Sequence, residues 1–370
     1  MAKPTRQNRR QSPEKTAHTP KSQPQDYPET TPSALPRMLL DNRPVRNELI
    51  RALEAERQSR VIAYVTDPRG GTLGTVVGTD TVPVLYEHLS QIGRVERIDL
   101  LLSTHGGHTT APYPIVNLLR EFCTHLAVLV PRTALSAGTM IALGADEIVM
   151  GPLGCLGPVD PTVNNEFNPE IDVTRSGSGP SEKRRLGISV EDVAAYFDLV
   201  RTKLGDSDAV MTEALRALTV TVHPLALGNV QRQYLLIRNL ASNLLALHMD
   251  ATEDKARIDR IVDLLTEKLY DHNYQIYRSQ ARDLIGLPVK DPSEKTDPLM
   301  AELYSQYRSA LQLDSLKLDG PFFLDAAVIE STACGHAFSY VGTAAKGEDG
   351  LNIEMKQQGW GLFADGEAES

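Results

Sequence analysis

The chain has 370 residues, of which 41% are hydrophobic and 23% charged, with a net charge of −10 at neutral pH. That length supports one large core, or one core with a smaller appendage. The acidic balance speaks against a general nucleic-acid binder, which carries a basic face; the absence of any apolar run near the ~20 residues of a membrane span excludes a spanning helix.

Residues 1–45 are rich in Pro, Gln, Thr, Lys and Arg and poor in large apolar side chains, so burial cannot offset their ordering entropy and they read as a flexible tail. No apolar segment follows the first charges, as it would in a signal peptide, and the expected compartment is the cytoplasm. A helix is expected from Arg46 to Gln58. Apolar runs and helical stretches then alternate: strands at 61–65, 98–103, 126–130 and 147–150, and helices at 81–92, 111–123 and 136–143. Continuous apolar runs suit strands covered on both faces by crossover helices, so a mostly parallel βαβ array is predicted. Asn164 to Ser181 lacks periodicity and reads as a loop. A helical insertion follows at about 186–270, with Ser189 as its first cap and His223-Pro224 opening its longest helix. A short helix runs from Arg278 to Ile285, and residues 322–363 alternate as a small antiparallel β unit within a C-terminal segment from 291. Cys123, Cys155 and Cys334 form no CxxC pair, so neither a disulfide framework nor a metal site is expected, and no cofactor motif is present.

Two segments carry chemistry. In Leu101-Leu-Ser-Thr-His-Gly-Gly-His108 a buried strand runs into two glycines and then a helix. Such glycines let backbone N–H groups approach a ligand, as an oxyanion hole requires, although a tight turn without a ligand uses the same residues. In Leu129-Val-Pro-Arg-Thr-Ala-Leu-Ser-Ala-Gly-Thr139 the next strand ends and Ser136 stands at a helix start among small residues. A serine there serves as an N-cap or, with room for a substrate carbonyl beside it, as a nucleophile. Neighbouring parallel strands open their carboxyl ends onto one crevice, so the order of these segments places the glycines and the serine together.

The run Ser-Thr-His-Gly-Gly, followed by Ala-Leu-Ser-Ala-Gly-Thr-Met-Ile-Ala-Leu-Gly-Ala-Asp-Glu-Ile-Val-Met and Gly-Pro-Leu-Gly-Cys-Leu-Gly-Pro-Val-Asp-Pro, resembles the serine dehydrogenase proteinase branch of the signal peptide peptidase A and Clp protease superfamily. The resemblance covers about residues 60–163 and resumes around Leu269 and Val289. It implies an α/β Clp protease/crotonase-like fold of stacked βαβ units over 46–290. It also implies a Ser136 nucleophile, an oxyanion hole from Gly106, Gly107 and the N–H of Ala137, a peptide or unfolded-protein substrate, and a homo-oligomer.

The general base is where the sequence departs from the pattern. Where Clp-type proteases carry their histidine, this chain has Pro158, Val159, Asp160 and Pro161, with Asp160 the one titratable group. Signal peptide peptidase A relatives use a lysine in a Lys-Ser-Gly context; here Arg175 precedes Ser-Gly, and arginine stays protonated. Lys183 follows nearby and would need desolvation to act. His223 and His272 remain, with pKa values suited to the role but equally at home as caps or packed residues. The expected function is therefore a serine peptidase, or a related amide or ester hydrolase. The alternatives are a catalytically silent scaffold of the same fold and a crotonase-like acyl-CoA enzyme.

Overall fold

The computed structural model describes residues 38–363, apart from 70–72, 160–161, 164, 174–181, 270, 272, 317 and 348–349. Most of the expected tail, and with it the arginines near the N-terminus, lies outside the described residues. Structure begins earlier than the composition suggests: Met38–Asp41 is helical, Leu39 is fully buried, and Pro44 sits in the first turn of the helix Arg43–Arg57. Proline is tolerated there because its missing N–H would have had no intrahelical partner.

The centre is an eight-stranded sheet. Across it the order is Val289–Lys290, Glu147–Met150, Cys123–Val130, Val95–Ser103, Arg60–Thr66, Gly320–Glu330, Gly335–Gly347 and Gly350–Leu362. The first five strands are mutually parallel and the last three antiparallel. Side chains on each parallel strand alternate between two cores. Ile62, Tyr64, Leu100, Leu102, Val128 and Val130 pack under helices Thr81–Ile92, Pro112–Phe122 and Ala137–Leu143. Val61, Ala63, Val65, Leu101 and Leu129 pack beneath Arg43–Arg57 and Thr296–Ala310. Burial on both faces is why these strands read as unbroken apolar runs.

The C-terminal strands do not stand apart as a small β unit. Gly320–Glu330 pairs with Arg60–Thr66, from Ala63 opposite Glu330 to Thr66 opposite Ala327, and so extends the main sheet. An ion pair sunk in the second core fastens this junction. Arg46 Nε donates to Glu330 Oε2 at 2.7 Å, Tyr307 Oη donates to the same oxygen at 2.8 Å, and both charged side chains are fully buried. Three elements from opposite ends of the chain therefore meet on one carboxylate. The helix Asp208–Thr221 falls within the expected helical insertion, and the helix Thr296–Ala310, which the sequence reading did not anticipate, completes the fold. Part of the expected loop is a hairpin, Glu170–Val173 against Glu182–Arg185.

Candidate active site

The carboxyl ends of the parallel strands are stitched to one another. Beyond strand Val95–Ser103, the Thr104 amide donates to Thr133 O at 2.7 Å and Leu135 N donates to Thr104 O at 3.1 Å. The Thr104 hydroxyl accepts from Thr66 Oγ1 at 2.8 Å and from the Gly106 amide at 3.1 Å. These bonds hold the glycine turn and the serine turn against each other.

The contact is direct. Gly106 has φ +112°, a conformation that side-chain-bearing residues rarely adopt, and a Cβ at that position would stand 2.8 Å from Ser136 Cβ and 3.3 Å from Ser136 Oγ. Glycine is required both by the turn and by the closeness of the serine. The next contact works the same way: a Cβ at Gly138 would meet Thr104 Cγ2 at 2.6 Å. Only a residue without a side chain lets the serine helix lie so close to the strand end.

Ser136 precedes helix Ala137–Leu143 with φ 49° and ψ −110°. A non-glycine residue there carries strain of about 1–3 kcal/mol, which persists only where surrounding bonds over-determine it. They do: Gly138 N donates to Leu135 O at 2.8 Å, Met140 N to Ser136 O at 3.0 Å, and Thr139 Oγ1 to Ala134 O at 2.8 Å. The Ser136 side chain caps none of the helix amides, is half-buried, and has no hydrogen-bond partner among the described residues. This is a presented hydroxyl rather than an N-cap.

The three amides expected to line the site divide. Gly106 N–H is engaged by Thr104, whereas the N–H groups of Gly107 and Ala137 donate to nothing among the described residues. His105 and His108 flank the turn with exposed side chains. Partial desolvation holds the His105 imidazole below the ordinary histidine range, with Asp67 pulling the other way.

Two of the four expected bases, Lys183 and His223, are described, and neither is hydrogen-bonded to Ser136. Lys183 lies in the hairpin, largely exposed and 3.7 Å from Glu170. His223 caps helix Pro224–Leu245, its Nδ1 accepting from Leu225 N at 3.2 Å, and its ring stacks on Phe167. Asp160 and His272 lie outside the described residues, but their chain neighbours approach the serine. Gly157 is bound to Thr139 of the serine helix through N–H···Oγ1 at 2.9 Å, and Val159 N donates to Leu265 O. Strand Ile276–Tyr277 pairs with Cys155–Leu156, which pairs in turn with Thr133–Ala134. The threonines that brace the site, Thr66, Thr104 and Thr139, escaped the sequence reading because a threonine beside a strand end carries no distinguishing spacing.

The sheet, with its braced serine and glycine turns, has the Clp protease/crotonase-like fold. Residues 33–183 match the family of ClpP-like SDH-type serine proteinases. Two proteins of Methanocaldococcus jannaschii, both named as uncharacterized, are similar in sequence. MJ1495 is 30% identical over 180 residues, which are 44% of this chain and 61% of that protein. MJ0137 is 27% identical over 272 residues, or 70% of this chain and 79% of that protein. The chain thus spans about three fifths of the length of the first of these relatives. Among solved structures, a 1510-N membrane-bound stomatin-specific protease carrying a serine-to-alanine mutation is similar, with TM-score 0.35, 16% identity, and coverage of 67% of this chain and 85% of that one. A lysine-to-alanine mutant of the same protease with a substrate peptide gives TM-score 0.33, 16% identity, and coverage of 62% and 75%. No described helix is long and apolar enough to cross a membrane.

Proposed function

We propose that this chain is a serine peptidase that works through an acyl-enzyme on Ser136. The observation that carries this reading is the packing of the glycine turn onto a strained, unpartnered serine, with two unpaired amides on either side of the contact. In the reaction, Ser136 Oγ attacks the peptide carbonyl carbon and its proton passes to a base. The Gly107 and Ala137 amides then take up the charge that develops on the carbonyl oxygen. Gly106 contributes by its shape, since its own N–H is spent on Thr104. The intermediate then collapses: the C–N bond breaks, the amine leaves with the proton returned by the base, and water later attacks the resulting ester, releasing the serine and a carboxylate-ended fragment.

For the base we favour Asp160 or His272 over Lys183 and His223. Gly157, ahead of Asp160, bonds the serine helix, and Ile276–Tyr277, after His272, joins the small sheet that holds Thr133–Ala134, whereas Lys183 faces Glu170 and His223 already caps a helix. His272→Ala and Asp160→Asn, compared by the pH profile of kcat/KM, separate the two: loss of the base removes the corresponding ionisation as well as activity.

The substrate class is an unfolded or peptide chain, and the working form is a homo-oligomer. Helices Val190–Leu204 and Asp208–Thr221 bury one residue each, Val190 and Ala214, while Leu199, Leu204, Leu215 and Val220 face outward. So much exposed apolar surface suits contact with another copy.

A serine-directed fluorophosphonate probe tests the core claim. Labelling of the wild type that disappears in Ser136→Ala supports the peptidase reading. A wild type that takes no label, yet forms a defined oligomer, establishes instead the silent scaffold.

A further inference from the structure

A second cluster of reactive side chains lies at the other end of the sheet. The turn between strands Gly320–Glu330 and Gly335–Gly347 stands beside the start of strand Arg60–Thr66, where Arg60 Nη2 donates to Thr332 Oγ1 at 2.8 Å. The serine site lies beyond the opposite, carboxyl end of that strand, where Thr66 meets Thr104. Cys334 in this turn and His336 at the start of strand Gly335–Gly347 face His88 of helix Thr81–Ile92. The three residues are buried, and their ligand atoms all lie within 4.8 Å of one another.

We propose that His88, Cys334 and His336 form a structural zinc site that clamps the C-terminal strands to helix Thr81–Ile92. The sequence gives no hint of it, because one ligand is some 250 positions from the other two and no CxxC accompanies them. The inner ring nitrogens, His88 Nε2 and His336 Nδ1, face each other at 3.1 Å. The outer nitrogens are already held: His88 Nδ1 by Ser331 Oγ at 2.8 Å and His336 Nε2 by Glu87 Oε2 at 2.9 Å. An ionised Glu87 can only accept, so His336 Nε2 carries the hydrogen and Nδ1 presents a lone pair inward. Ser331 Oγ accepts from Ala333 N at 3.3 Å and is placed to accept from His88 Nδ1 as well. In that tautomer a second lone pair points at the first, and a cation between them would accept both.

Two imidazoles on one tetrahedral zinc, each at about 2.0–2.1 Å, stand roughly 3.3 Å apart, close to the separation seen. Two imidazoles and a thiolate are a donor set that zinc prefers. The Glu87–His336 contact is the carboxylate–histidine–metal relay that orients such ligands. The charges also balance, since the thiolate and Glu87 offset a dication and Arg43 nearby is paired with Glu330 at 3.4 Å.

The test uses the full-length chain, stripped with chelator and titrated with Co²⁺ and then Zn²⁺. The expected result is a thiolate-to-cobalt charge-transfer band that Zn²⁺ abolishes stoichiometrically, with a rise in Tm of roughly 5 °C at saturating Zn²⁺. Cys334→Ser should lose the band, and Glu87→Gln should retain it while weakening zinc affinity by about 10- to 100-fold. The wild-type titration stands without the variants. No charge-transfer band and no Zn²⁺-dependent Tm shift in the wild type would overturn the site and leave a plain His88–His336 hydrogen bond. Zinc bound equally well by the Cys334→Ser, His336→Gln double variant would overturn it too.

Discussion

Strand Arg60–Thr66 and helix Val190–Leu204 show two ways of using apolar residues. Six of the strand's seven residues are buried in succession, whereas the fifteen-residue helix buries only Val190. The strand is stabilised within the chain, by two cores and by hydrogen bonds to both neighbouring strands. The helix holds itself by its Ser189 cap, which accepts from Glu191 N and Asp192 N, and by contact with the helices beside it. The sheet is therefore where chemistry can be held rigid, and the helical region is where apolar side chains stay exposed. Substitutions in the two regions should fail in different ways.

The largest effect is expected at the strand ends. Ser136→Ala should lower kcat/KM for a peptide substrate by about three orders of magnitude or more, while leaving Tm within a degree or two. A variant that retains activity would separate the braced corner from the chemistry and break the contrast at its strongest point.

Next comes the ion pair under the sheet. Glu330→Ala leaves Arg46 charged and fully buried with no carboxylate, a loss of about 3–5 kcal/mol. Differential scanning calorimetry should show a drop in Tm of roughly 10 °C. A second charged cluster makes the sheet sensitive to acid. Burial alone would raise the Glu147 carboxyl, but hydrogen bonds from Arg57 and Lys290, with Arg97 beside them, lower it from an ordinary 4.5 to about 2. A group depressed on folding stabilises above its unfolded pKa, and that contribution is lost as pH falls through the folded value. Stability should therefore decline between about pH 5 and pH 2, by roughly 3 kcal/mol from this group. Glu147→Gln should flatten that limb in urea titrations across the range; an unchanged limb would assign the acid sensitivity elsewhere.

Gly106→Ala should cost about 1–3 kcal/mol, because alanine must take φ near +112° and its Cβ collides with Ser136. Activity should fall more than stability. Gly138→Ala, which pushes on Thr104 rather than on the serine, provides the comparison. If both variants lose stability but keep full activity, the glycine turn is structural only.

These contrasts also explain what was legible in the sequence. The parallel strands and the position of Ser136 at a strand-end turn could be read because each depends on local pattern: an unbroken apolar run, then a turn of small residues. The pairing of Gly320–Glu330 with Arg60–Thr66 could not, since no local pattern encodes a register between segments at opposite ends of the chain. The helix Thr296–Ala310 was readable in principle, as its buried Met300, Leu303, Tyr307 and Ala310 recur at helical spacing. The threonine braces of the site are invisible before folding, because Thr104 acquires its role only when Thr66 and Gly106 arrive beside it.

The smallest change in chain stability is expected in the helical region, where the comparison is sharpened most. Val220 is 87% exposed and Leu204 71% exposed, so Val220→Asp and Leu204→Asp remove almost no intrachain contact. Each should shift the unfolding free energy by no more than about 0.5 kcal/mol. If these side chains meet another copy, a buried charge on each side of the contact should split the assembly, lowering the mass measured by light scattering at micromolar concentration. A wild-type chain that is already monomeric there would mean that the helices face solvent, and the exposed leucines would then need a different partner, an unfolded substrate being the first to test by crosslinking.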